Sequence, residues 1–334
     1  MLDQFFDNCK PEIPDVPPPP YTEINNQKMQ KYTPDLLRDI SNRYEIHHVF
    51  SNKLQLLESF KIVFIFDDSG SMNATLSDSP LNTGLLKATR WDELQFFSKI
   101  SIEIANMFNQ NGTDIYFLNR PMARNISSAD QLLSYFKNRP AGFTPLSGVL
   151  LKVLADNNQA ELRERKLLIV IVTDGEPTDN KGRIDIRNFE KILKNLNSNI
   201  HTRIVSCTDE KENVCYLNSM DRSIQRLDVI DDFRNERLKI LKIQGENFNF
   251  SFGDYVVKSM MGSIVKKIDY LNESFTKSNV NPQTRKKCSL IRNFIKICDN
   301  ISYLWFNSLS HNENFITIKD KINFSRDIAT RVRG

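Results

Sequence analysis

The stretch KIVFIFDDSGSMN, Lys61 to Asn73, decides the fold. The apolar run Ile62 to Phe66 has no polar interruption and stops at two aspartates. A short continuous run rich in β-branched and aromatic residues predicts a strand covered on both faces. Such strands belong to parallel sheets flanked by helices. The oxygens that follow, on Asp67, Asp68, Ser69 and Ser71, form either an ordinary polar turn or a cluster that holds something.

Outward from this stretch, the chain alternates between strand and helix patterns. Apolar residues at helical spacing mark 90–110, 128–139, 146–157, 184–197 and 212–222. Strand patterns fall at 114–119, 166–175, 201–209 and 227–231, and KLLIVIVTDG (166–175) is the second wholly apolar strand. An amphipathic helix is expected over 252–272. This alternation predicts an α/β fold, a doubly wound, mostly parallel central sheet with helices on both faces. The two all-apolar strands belong at its centre.

The chain ends read differently. Residues 1–32, with PEIPDVPPPPYTE, have few apolar groups to bury and a polyproline II bias, which predicts a disordered tail. Thr33 is a good N-cap with Pro34 at the first helical position, so 33–57 reads as a helical extension, broken near His47-His48. Those two histidines have no partner at metal-ligand spacing and read as structural. The main domain is expected over 58–274. Residues 275–334 break the alternation and form a partly helical extension through IRNFIKICDNISYLWFNSL.

Composition narrows the function. A net charge of +4 on 45 basic and 41 acidic residues is small, and the most basic cluster, Arg285-Lys286-Lys287, is short, so nucleic acid is not an expected partner. No apolar stretch has the length of a membrane span. The opening MLDQFFDNCKPEIPD lacks a basic region followed by an apolar one, and the five cysteines are scattered. A cytoplasmic protein with reduced thiols is the expectation.

Ligands of open α/β sheets bind at the carboxyl ends of the strands. Three separated pieces of this chain place oxygens there: Asp67, Ser69 and Ser71 after the first strand, Thr144 in AGFTPL before a helix, and Asp174 after the 166–175 strand. Two carboxylates and three hydroxyls, without His or Cys, select a hard divalent cation over zinc. Two carboxylates neutralise such an ion and leave a further acidic ligand welcome at an open position. Gly70 is expected to let the loop bend tightly around the ion.

DDSGS (67–71), GFTPL (142–146) and TDGEPTD (173–179) resemble the metal-ion-dependent adhesion site (MIDAS) of von Willebrand factor type A (vWA) domains. The likeness covers roughly residues 58 to 272. It implies Mg²⁺ or Mn²⁺ held directly by Ser69, Ser71 and Thr144, with Asp67 and Asp174 acting largely through water. It also implies a partner protein that supplies Asp or Glu to the metal. RWDE (90–93), SCTDE (206–210) and NFSFGDYVVKSMMGSIV (249–265) are similar to the intracellular, copine-like branch. Copines carry C2 domains before the A domain, and with fewer than 60 residues in that place here, their calcium-dependent membrane docking is not an expectation for this sequence.

PPPPY, with Pro18, Pro19 and Tyr21, resembles the PPxY ligands of WW domains. The expected function is therefore a non-catalytic, intracellular protein-binding adaptor. The alternative is a Mg²⁺-dependent hydrolase or phosphatase using the same site. An aspartyl phosphatase would place a second acid two residues after Asp67, where this chain has Ser69. A degenerate domain that binds no metal would have little reason to keep all five oxygens. Trp91, at the start of a helix, is expected in the core.

Overall fold

Residues Phe60 to Phe66 form a strand whose alternate side chains enter two different cores. The computed structural model describes residues 32–109, 111–157, 165–208, 210, 215–265 and 271. Among these, six strands make one sheet: β1 (Phe60–Phe66), β2 (Thr113–Phe117), β3 (Ala123–Ile126), β4 (Lys166–Thr173), β5 (Ile200–Ser206) and β6 (Leu227–Ile230). Their spatial order is β3-β2-β1-β4-β5-β6. All neighbours run parallel except β2 and β3. The helices are α1 (Pro34–Arg43), α2 (His48–Ser51), α3 (Arg90–Asn106), α4 (Leu133–Phe136), α5 (Leu146–Asp156), α6 (Ile186–Lys194), α7 (Cys215–Ser223), α8 (Phe233–Gln244) and α9 (Phe252–Met261).

The pleat divides β1 and β4 between the two faces. Ile62, Phe64 and Phe66, with Leu168, Val170 and Val172, face a core built with α1, α2, α3, α8 and α9. Val63 and Ile65, with Leu167, Ile169 and Ile171, face α5, α6 and α7. This is the doubly wound, Rossmann-like arrangement that the apolar runs predict. Burying each of these large side chains contributes about 1.5–3 kcal/mol, which makes the central strands the anchor of the fold.

The elements differ from expectation in four places. Thr33 caps α1 through Leu36 N, as expected, but the helix stops at Arg43, because Glu45 takes a left-handed backbone (φ 55°). The break therefore comes before His47, whose side chain caps α2 by accepting from Val49 N. Ile40, Ile46, Phe50, Leu54 and Leu57 are buried in the main core, so this extension belongs to the domain. Residues 128–139 hold a 3-10 turn (Ala129–Leu132) and the short α4 in place of one helix. β3 and α8 are additional.

α9 is fastened at both ends. A Cβ on Gly253 would overlap the Tyr44 carbonyl oxygen, so the α1–α2 connection packs directly on its first turn. Asp254 Oδ1 accepts from His47 N at 2.7 Å. At the other end, Arg203, fully buried, donates to Ser259 O (2.9 Å) and Lys258 O (3.0 Å). Lys258 Nζ lies 3.4 Å from Glu236 Oε1 of α8, both buried.

Among the described residues no helix is long and apolar enough to cross a membrane. The helix expected over 252–272 stops at Met261, with residues 262–264 in a turn. The PPPPY segment with Pro18, Pro19 and Tyr21 and the extension 275–334 lie outside the described residues.

Candidate metal centre

β1 and β4 are neighbours in space, and the chain leaves them in opposite directions, to β2 and to β5. Between them lies the point where strand order reverses, and the crevice there opens at the carboxyl ends. Asp67 follows β1, and its N–H donates to Val172 O at 2.9 Å, which carries the ladder one residue further. Thr173 ends β4 and Asp174 follows it.

Hydrogen bonds knit three loops together at this point. Gly70 N donates to Gly142 O (3.1 Å) and Ala141 N to Asp68 O (2.9 Å). Asn73 Nδ2 donates to Pro140 O (2.8 Å). Thr144 N donates to Thr178 Oγ1 (2.9 Å), and Thr178 N returns a bond to Thr144 O (2.9 Å). The backbone of Thr144 is thus pinned, and its hydroxyl takes part in neither bond.

The side chains then form a continuous polar track. Asp67 Oδ1 accepts from Ser69 N (2.9 Å) and Oδ2 from Thr173 Oγ1 (2.6 Å). Ser69 Oγ and Ser71 Oγ are 3.0 Å apart. Ser71 Oγ donates to Asp174 Oδ1 at 2.8 Å. Asp67, Ser69, Thr144 and Asp174 are buried, whereas Gly70, Ser71, Gly142 and Phe143 are exposed and form the mouth. Burial, and then the neighbouring charge of Asp174, push Asp67 up to about 7, against the pull of its hydrogen bonds.

Two glycines differ from expectation in what they do. Gly70 has no left-handed backbone, and a Cβ there would meet nothing nearer than Gly142 O at 3.8 Å. The tight bend falls instead at Gly142, with φ 105°, where a Cβ would stand 2.6 Å from Asn119 Cγ. Asp68 turns away from the cluster. Its Oδ1 accepts from Asn119 N (2.7 Å), and Arg120 Nε lies 3.2 Å from its Oδ2. Arg120 also sits over the Trp91 ring, 4.7 Å from the centroid. Trp91 is buried against Phe136, as expected of a core residue.

Arg90 is a site residue that the motif spacing does not reveal. Its Nη1 lies 2.8 Å from Asp174 Oδ2, with side-chain exposures of 4% and 0%, and its Nη2 lies 3.3 Å from Glu210 Oε1. Burial works against its charge, but Asp174 outweighs it and leaves the guanidinium pKa raised. The signal was present: Arg90 is the first residue of α3, the end of a helix where a cation is unfavourable. A second residue, Thr173, was also missed and fixes Asp67. Arg90 adds one positive charge beside the two carboxylates, and Glu210 at its other nitrogen returns one negative charge, so the charge balance of the centre extends beyond the five oxygens.

The donor set fits a hard cation. Two close, buried carboxylates, one of them pushed toward its protonated form, are relieved by a positive charge. All the oxygen donors are of the kind that magnesium or manganese takes. Among the described residues, no group of three or more His, Cys, Asp or Glu side chains stands ready to hold a metal. The candidate centre depends instead on hydroxyls beside its two carboxylates. Compared with known proteins, the chain matches no family model and no curated protein.

Proposed function

We propose that the chain is a non-catalytic protein-binding module of the vWA type, in which a Mg²⁺ or Mn²⁺ centre receives an Asp or Glu side chain of a partner. Ser69, Ser71 and Thr144 would hold the ion directly, and Asp67 and Asp174 through water. When bound, the ion supplies an electrophilic open position that a carboxylate fills. The observation that carries this reading is the Ser69–Ser71–Asp174 track, with gaps of 3.0 and 2.8 Å, at the switch point of the sheet.

The residues of the chain divide the remaining work. Thr173 and Ser69 N orient Asp67, and the Thr178 bonds orient Thr144. Phe143, about half exposed at the mouth with its ring against Gly182, offers an apolar contact beside the ion. PPPPY at Pro18, Pro19 and Tyr21 would recruit WW-domain proteins. Placement in the cytoplasm rests on the scattered cysteines of the sequence, which form no paired set.

The test is capture of partners from lysate by the full chain in Mg²⁺ and in EDTA, beside calorimetric titration with MgCl₂. Ser69→Ala with Ser71→Ala is the control. Metal-dependent capture that the double variant loses, together with Mg²⁺ binding by the wild type alone, is expected. Identical captures under all conditions overturn the reading.

A further inference from the structure

The two carboxylate oxygens of Asp174 have different partners. Oδ1 accepts from Ser71 Oγ at 2.8 Å and so faces the hydroxyl track. Oδ2 is held by Arg90 Nη1, also at 2.8 Å, inside the protein. Asp67 is divided in the same way, Oδ1 to Ser69 N and Oδ2 to Thr173 Oγ1. A carboxylate whose oxygens are tied to partners on two sides does not turn both of them to one ion.

Hard cations differ in this requirement. Calcium takes six to eight oxygens, often through both oxygens of a carboxylate, and its sites strengthen with carboxylate charge. Magnesium takes six in an octahedron, retains waters and needs few protein carboxylates. We propose that Arg90 is a specificity-determining positioning residue: by holding Asp174 Oδ2 away from the ion and cancelling one negative charge, it sets the centre for a small octahedral cation and against calcium. The inference rests on the reading of this cluster as a divalent-cation centre.

Two further observations support it. Arg90 is buried at the first position of α3, where the helix dipole opposes its charge, so helix stability does not explain the residue. Its other nitrogen reaches Glu210 Oε1 at 3.3 Å, so the guanidinium is held from two sides. Lysine, a point charge on a flexible stem, would not reproduce this fork.

The experiment is calorimetric titration of the full chain, stripped with EDTA, with MgCl₂, MnCl₂ and CaCl₂, beside thermal melting of each metal-free variant. Wild type is expected to bind Mg²⁺ and Mn²⁺ more tightly than Ca²⁺. Arg90→Met is expected to narrow the Mg²⁺-to-Ca²⁺ ratio by about tenfold, chiefly through tighter Ca²⁺. Arg90→Lys is expected to fall between the two. A folded R90M that keeps the wild-type ratio overturns the role of Arg90 and leaves the metal centre intact. Absence of any divalent binding by wild type overturns the metal centre itself, and the inference with it. Where R90M does not fold, an R90K ratio at or above the wild-type value, or a wild type that binds Ca²⁺ as tightly as Mg²⁺, overturns the role of Arg90.

Discussion

Ser71 Oγ donates to Asp174 Oδ1 across 2.8 Å and joins the loop after β1 to the loop after β4, positions 103 residues apart. The bond lies at the exposed mouth of the crevice, where water can replace a lost hydroxyl. Ser71→Ala is therefore expected to cost stability little, about 1 kcal/mol or less. The same change removes a proposed ligand and is expected to weaken Mg²⁺ binding by at least about tenfold. Melting in EDTA and titration with MgCl₂ separate the two effects.

Two buried carboxylates are expected to make the metal-free protein lose stability as pH rises from about 4 toward 7, against an opposite contribution from His201, which burial lowers to about 4. Asp67 is pushed up to about 7 in the fold, above its value in the unfolded chain. In that window the folded state therefore holds the extra proton, and stability drops as pH climbs. Asp254, also raised to about 7, mainly by burial, acts in the same direction. Asp67→Asn isolates one from the other: the fall in melting temperature across this window should shrink, and Mg²⁺ should no longer raise it. An unchanged pH profile in D67N would mean that Asp67 is not a source of the effect.

Gly142→Ala is expected to destabilise by about 1–3 kcal/mol, since the added Cβ meets Asn119 in a left-handed backbone. Gly70→Ala should be nearly silent in melting, because its backbone and surroundings accept a methyl group. Paired thermal melts of the two variants check this contrast.

Arg120→Met leaves Asp68 buried with Asn119 but without its cation. Arg120 is partly exposed, so the cost is expected to be about 2–3 kcal/mol, below that of a fully buried pair. Chemical denaturation provides the measurement. A change under about 0.5 kcal/mol would show the pair to be worth no more than a surface ion pair despite its burial.

Phe143→Ala should leave Mg²⁺ binding unchanged and weaken a captured partner by about tenfold, as expected for an aromatic contact beside an anchoring group. Equal loss of metal and partner would assign Phe143 to holding the Thr144 loop.

The sheet was legible in the chain where burial on both faces removed polar interruptions. β1 and β4 needed no partner to be recognised, because their runs are wholly apolar. β3 was not, since Arg124 and Asn125 at its centre are exposed and its only pairing is antiparallel at the edge. α8 was hidden by its charges: among its residues Phe233, Glu236 and Ile240 are buried, and Glu236 is met by Lys258, 22 positions later in the chain. The expectation that Asp67, Ser69, Ser71 and Asp174 share one place could be read from the ends of β1 and β4, and their hydrogen bonds join them there. For Arg90 only the unfavourable position at the start of α3 was readable, since its meaning depends on Asp174, 84 positions away. Local patterns report on neighbours in sequence, and ion pairs across a switch point are not among them.

α9 is tied at its first turn to Tyr44 and His47 and at its last to Arg203. A slide by one turn would carry it about 5.4 Å and break both fastenings together. Sliding α9 along its axis is therefore an all-or-none event, because neither fastening can be released while the other holds its register.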